Sequence, residues 1–123
     1  MSYCDCDWGD ASPAEFVQVY TVKKSRKPHR CEECGGRINI GESYRRIDGK
    51  WDGDMATLCT CKDCLEIEAW ARISAPCFCT ITGELHERVR EMVQDVAPHV
   101  PGFVFEWGRR MIKVRRRQRA SVK

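Results

Sequence analysis

Nothing in the sequence approaches the ~20 consecutive apolar residues that a membrane-spanning helix needs, so no membrane association is expected. No secretory leader is expected either, because "MSYCDCDWGDASPAEF" places acids where a leader carries bases followed by an apolar stretch. The expected compartment is a reducing cytoplasm, in which disulfide scaffolds are rare. Catalytic signatures are equally scarce. There is no Gly-rich phosphate loop and no Ser-His-Asp set, and the three histidines, His29, His86 and His99, are scattered. The reading is a protein that is not an enzyme and takes no small-molecule substrate. Aromatic residues make up only 9% of the 123 residues, so the chain buries one modest core that calls for staples. No internal repeat is present.

Cysteine is what the chain has in plenty, with nine residues. In a reducing compartment paired cysteines point to metal ligation before disulfides. Cys31 and Cys34 are two residues apart, and Gly35 and Gly36 let the backbone fold back beneath the sulfurs. Cys61 and Cys64 repeat the spacing at the expected start of a helix, where the dipole favours thiolate. Structural zinc takes four such ligands in a tetrahedron at about 2.3 Å. Buried free cysteines or a disulfide are the plainer alternative, and the doubled spacing with knuckle glycines weighs against it.

Around these pairs the chain divides into an acidic segment (1–22), a metal domain (23–75), a helical extension (76–100) and a basic C-terminal segment (101–123). "SPAEFVQVY" predicts a short helix, with Ser12 as N-cap, Pro13 at the first position and Glu15 completing a capping box. "KKSRKPHR" is a proline-broken connector. "RINI", "SYRRIDG" and "MATLCT" read as strands joined by glycine turns. A helix is predicted from about Cys61 to "SAP" with Leu65, Ala69 and Ile73 inward and Trp70 widening that stripe. A second, over "TGELHERVREMVQDVA", takes Thr82 as cap and buries Leu85, Val89, Met92, Val93 and Val96. "GFVFEW" fits a strand or a helical first turn; the helix is favoured because Phe103, Trp107, Met111 and Val114 then line up.

The fold class is therefore α+β: knuckle, β-hairpin and helix, the arrangement of a treble-clef zinc finger, followed by one or two further helices. "HRCEECGGRINIGESYRRIDGKWDGD" followed by "CKDC" resembles small, uncharacterised treble-clef proteins encoded by bacteriophages and prophages. The resemblance covers residues 25 to 95. It implies zinc binding by Cys31, Cys34, Cys61 and Cys64 and a place in the cytoplasm of a bacterial host cell, and it brings no activity. Treble clefs also host HNH nucleases, but none of the three histidines sits in that motif.

Of the other five cysteines, "YCDCD" supplies Cys4 and Cys6 and "PCFCT" supplies Cys77 and Cys79. Together they complete a second four-cysteine zinc site. Alternatively Cys77 or Cys79 packs as a small hydrophobe, or a disulfide forms after lysis. His86 is either a substitute ligand or a surface helical residue. Cys59 is the odd thiol; in an extended strand it faces the same side as Cys61, a neighbour of the first metal and not a ligand.

Charge is unevenly spread. Arg109, Arg110, Lys113, Arg115, Arg116, Arg117, Arg119 and Lys123 form an acid-free end, leaving 13 bases against all 18 acids in the rest of the chain. Lys23, Lys24, Arg26, Lys27 and Arg30 precede the knuckle. Such clusters suit the phosphates of nucleic acid, gaining affinity by counterion release, unless the end is only a solvated, frayed terminus. Trp51 and Trp107 either stack on bases or finish the core. The two functions that remain are a nucleic-acid-binding or regulatory protein, and a protein-interaction module that inhibits or redirects a bacterial host protein.

Overall fold

The computed structural model describes residues 16–75, 78, 80 and 82–121. Its elements are β1 (Phe16–Val22), β2 (His29–Arg30), β3 (Arg37–Ile38), β4 (Tyr44–Trp51), β5 (Asp54–Cys61), α1 (Lys62–Ser74), α2 (Leu85–Val96) and α3 (Phe103–Ala120). The class is α+β. One antiparallel sheet has the order β1-β4-β5, and β2 pairs with β3 beside it.

β4 and β5 form a hairpin in which Tyr44 lies opposite Cys61 and Trp51 opposite Asp54. Its two-residue turn needs positive φ at both positions, and Asp52 (φ 50°) and Gly53 (φ 84°) supply it. β1 is an edge strand, paired with β4 along its whole length, from Phe16 opposite Lys50 to Val22 opposite Tyr44. The helix expected over "SPAEFVQVY" therefore does not extend over Phe16–Tyr20. The run "FVQVYTV" alternates and is rich in β-branched and aromatic residues, and seven residues of pairing to β4 outweigh a capping pattern. Ser12, Pro13 and Glu15 lie outside the described residues.

α1 begins where the sequence predicts, but its inward face differs. Cys64, Ile67, Glu68 and Ala71 are buried, while Ile73 is 87% exposed. Turning Cys64 inward sets the rotation of the helix and carries the residues three, four and seven positions later in with it. Glu68 is accommodated by Arg45, whose Nη1 donates to its Oε2 at 2.8 Å.

α2 buries Leu85, Val89, Met92 and Val93 as expected. Its cap is Glu84 and not Thr82, because Gly83, at φ 98°, redirects the chain and gives its N–H to the Glu33 carboxylate of the knuckle. α3 is helical from Phe103, which stacks on Trp70 with ring centroids 4.9 Å apart. Trp107 and Met111 pack against the core, and Val114 is buried. The basic segment is thus a docked helix as far as Ala120 and not a frayed end. Among the described residues no helix is long and apolar enough to cross a membrane.

Candidate metal centre and the basic surface around it

Four cysteines converge from two chain turns. Cys31 and Cys34 stand on the turn that β2 and β3 bracket, where the Cys31 N–H donates to the Gly36 carbonyl at 2.8 Å and Gly35 closes back on Cys31 at 2.9 Å. Gly35 holds φ 74°, a conformation that a side chain would strain. Cys61 is the last residue of β5 and the N-cap of α1, which places Cys64 in the helix's first turn.

The four sulfurs all lie within 4.8 Å of one another, and three of the four residues are fully buried. Cys31 and Cys64 are 3.8 Å apart and Cys34 and Cys61 3.9 Å, close to the edge of about 3.8 Å in a tetrahedron built on ~2.3 Å metal–sulfur bonds. All four are free thiols. Backbone N–H groups of Glu33 and Cys61 point at Cys31 Sγ (3.4 and 3.3 Å), and that of Gly36 points at Cys34 Sγ (3.3 Å). Donors aimed at sulfur favour thiolate over thiol. As thiols the set shares protons unequally. Cys31 is held far below the usual thiol range, first by its hydrogen bond with Cys34 and then by those with Cys61 and Cys64. Cys64 is pushed far up, chiefly by its bonds to Cys31 and Cys34 and then by burial. A cation held by four sulfurs replaces that sharing with one common counter-charge, so the donor set fits a metal ion.

His86 corrects the surface reading: it is half-buried, and its Nε2 lies 3.2 Å from Cys64 Sγ. The two share a hydrogen bond, so His86 stands behind the four sulfurs without belonging to them. Its Nδ1 is buried with no hydrogen-bond partner, and burial lowers its pKa. The "GELHE" spacing carried no signal for this contact, since 22 residues separate the two side chains. Cys59 is where alternation puts it, buried on β5 outside the four-sulfur group, with burial raising its thiol pKa. Cys4, Cys6, Cys77 and Cys79, the proposed second site, lie outside the described residues.

The basic residues divide into two groups. Arg117 is turned inward, its side chain 7% exposed between Glu42 and Asp63, so it is not a phosphate contact. Arg110 leans over the Trp70 ring at 5.2 Å and bonds Glu106 at 2.8 Å. Arg109 pairs with Glu106 and Lys113 with Glu66 at the surface. Lys23, Lys24, Arg26, Lys27, Arg30, Arg115, Arg116 and Arg119 are exposed. Trp107 packs against the core, its Nε1 buried without a partner, and Trp51 lies over Gly49.

The end of α3 rests on the knuckle. Gln118 Nε2 donates to the Cys34 carbonyl at 2.9 Å, and the Arg37 N–H donates to Ser121 Oγ at 2.6 Å. Between them opens a groove of about 690 Å³, lined by Pro28, His29, Arg30, Cys34, Gly35, Arg37, Gln118 and Ser121, with no carboxylate. A second groove, of about 460 Å³, shares His29 and is lined by Lys24, Arg26, Lys27 and Arg46 beside Val22 and Tyr44, again without a carboxylate. Arg116 and Arg37 both line the adjoining cleft, together with the carboxylates of Glu42 and Asp63. No protein-family model, curated protein or solved structure matches this chain.

Proposed function

We propose that the chain is a non-enzymatic, zinc-stabilised protein of treble-clef type that binds the phosphate backbone of nucleic acid through the basic band around its knuckle. Zinc is the natural ion for a compact tetrahedron of four sulfurs, and there its role is to close the fold. One observation carries the function: bases from residues 24–46 line two grooves that no carboxylate lines, and α3, docked on the knuckle through Gln118, brings Arg116 to the adjoining cleft. Clustered bases without interleaved acids release counterions when they meet phosphates. The resemblance to phage-encoded zinc proteins supports the metal and leaves the partner open.

The test is fluorescence anisotropy with labelled DNA and RNA, single- and double-stranded, across a salt series. Affinity should fall linearly in log–log form as salt rises, and Lys27→Gln with Arg30→Gln and Arg37→Gln should reduce the slope by about 3. Absence of binding to all four probes at about 50 mM salt rejects the reading.

A separate observation favours a second reading, a module that binds a bacterial host protein. Val17 (47% exposed) and Val19 (60%) share one sheet face with Gly49, Ile47, Ala56 and Leu58, an apolar strip of the kind that marks partner surfaces.

A further inference from the structure

α3 is attached in two different ways. As far as Val114 it is held by apolar packing, with Phe103 on Trp70 and Val114 in the core. Its end is held by polar contacts to both metal-ligating turns. Arg117 Nη1 and Nη2 donate to the two carboxylate oxygens of Glu42 at 2.7 and 2.8 Å. Its Nε and Nη2 donate to Asp63 Oδ2 at 3.1 and 2.9 Å, and Nη1 also reaches the Arg37 carbonyl at 2.6 Å.

Asp63 lies between Cys61 and Cys64, and Arg37 follows the turn of Cys31 and Cys34. Gly36 makes room for the arginine stem, since a Cβ there would stand 2.6 Å from Arg117 Cγ. Glu42 apart, these acceptors flank the sulfurs: Asp63 is in the first turn of α1 between two of the cysteines, and Arg37 begins β3 just past the other two, so four sulfurs on one ion would fix the backbone at both. Four thiolates on a divalent ion would also carry two net negative charges, which favour a guanidinium close by. Polar contacts of this kind need their geometry held closely, whereas apolar packing tolerates small shifts.

We propose that Arg117 couples metal binding to the docking of α3's last turns, so that the metal-loaded protein presents the continuous basic band and metal loss loosens that end of the helix. The consequence for the band rests on the phosphate-binding reading; the coupling itself does not. Coupling is reciprocal: by whatever factor the Arg117 contacts tighten the metal, the metal tightens the helix end.

The experiment uses the full chain loaded with zinc and compares Arg117→Gln with Arg110→Gln, which breaks an α3 ion pair remote from the ligand turns and outside the basic band. Two readouts are taken, zinc release to excess chelator and hydrogen exchange at the amides of residues 115–121. Arg117→Gln should release zinc about tenfold faster and raise exchange at those amides by a similar factor, while Arg110→Gln should change release less than about twofold. Should Arg117→Gln fold poorly, the pair Glu42→Gln with Asp63→Asn neutralises both carboxylates that hold the guanidinium and should accelerate release in the same direction. Unchanged zinc release in both, or equal acceleration by Arg110→Gln, overturns the proposal. If the wild type binds no nucleic acid while release and exchange behave as expected, the phosphate-binding reading fails and the coupling stands.

Discussion

The two ends of the three-stranded sheet are built on opposite rules. At the end where Tyr44 meets Cys61, thiols and charges are buried in partnership, Cys31, Cys61 and Cys64 with one another, Arg45 with Glu68, Arg117 with Glu42 and Asp63, although Thr60 Oγ1 and Arg45 Nε are buried without a partner. From the middle of the sheet to the far end, where Trp51 meets Asp54, apolar groups face water, with Val19 60% and Met55 62% exposed. A two- or three-stranded ribbon holds poorly without a covered face. The far end therefore borrows its stability from the ladder that anchors it to the cysteine end, and damage should cost more the closer it falls to the sulfurs.

The largest break in that gradient is loss of a ligand. Cys64→Ser should reduce bound zinc from one equivalent toward none and abolish cooperative unfolding, because structural zinc contributes on the order of 10 kcal/mol of folding free energy. Metal content and thermal unfolding measure both. A variant that keeps its zinc and melts within a few degrees of wild type would remove the metal from the account of stability. Next comes the core beneath the metal: Ile67, fully buried on α1, should cost ~3 kcal/mol when truncated to alanine, read as a shifted denaturant midpoint at constant slope.

A smaller and pH-dependent effect belongs to Glu42. The bonds from Arg117 pull its carboxyl well down, from an ordinary 4.5 to about 2. A group with a depressed native pKa stabilises the fold above its unfolded pKa and loses that contribution as pH falls toward the native value. Wild type should therefore exceed Glu42→Gln by ~2 kcal/mol at pH 7, solvent screening allowed for, and the gap should close between about pH 5 and pH 2. A gap that is flat with pH would mean that the carboxylate charge contributes nothing. Asp48, paired with Arg46 on the exposed sheet surface, offers the contrast, and its replacement by asparagine should leave the midpoint within experimental scatter.

The same gradient explains what was legible in the sequence. The four-cysteine cluster could be read because each pair is local, two residues apart with glycines beside the first. The apolar stripes of α2 and α3 could be read for the same reason, since periodicity is a property of one segment. α1 was misread because its rotation is set by Cys64, not by its most apolar residues. The partners of Arg117 lie 54 and 75 residues away, and a guanidinium that closes two turns has the same spelling as one that waits in solvent. β1 was misread where a capping pattern and an alternating pattern overlap, and only pairing with β4 decides between them.

The smallest expected effect is also the sharpest test of the comparison. Val19 lies at the middle of β1, opposite Ile47, on an edge strand that carries no charge. Val19→Lys places a cation there. If the strip faces water, the long alkyl stem lies along the apolar surface while the ammonium stays solvated, and lysine is a common residue on natural edge strands. The cost should then be under ~0.5 kcal/mol, with zinc content unchanged, as for most exposed positions. A loss above ~1.5 kcal/mol would mean that Val19 is covered in solution, because only desolvation of the charge or displacement of a packed neighbour costs that much. The far end would then have a core of its own, and the stability of the sheet would no longer decline with distance from the sulfurs.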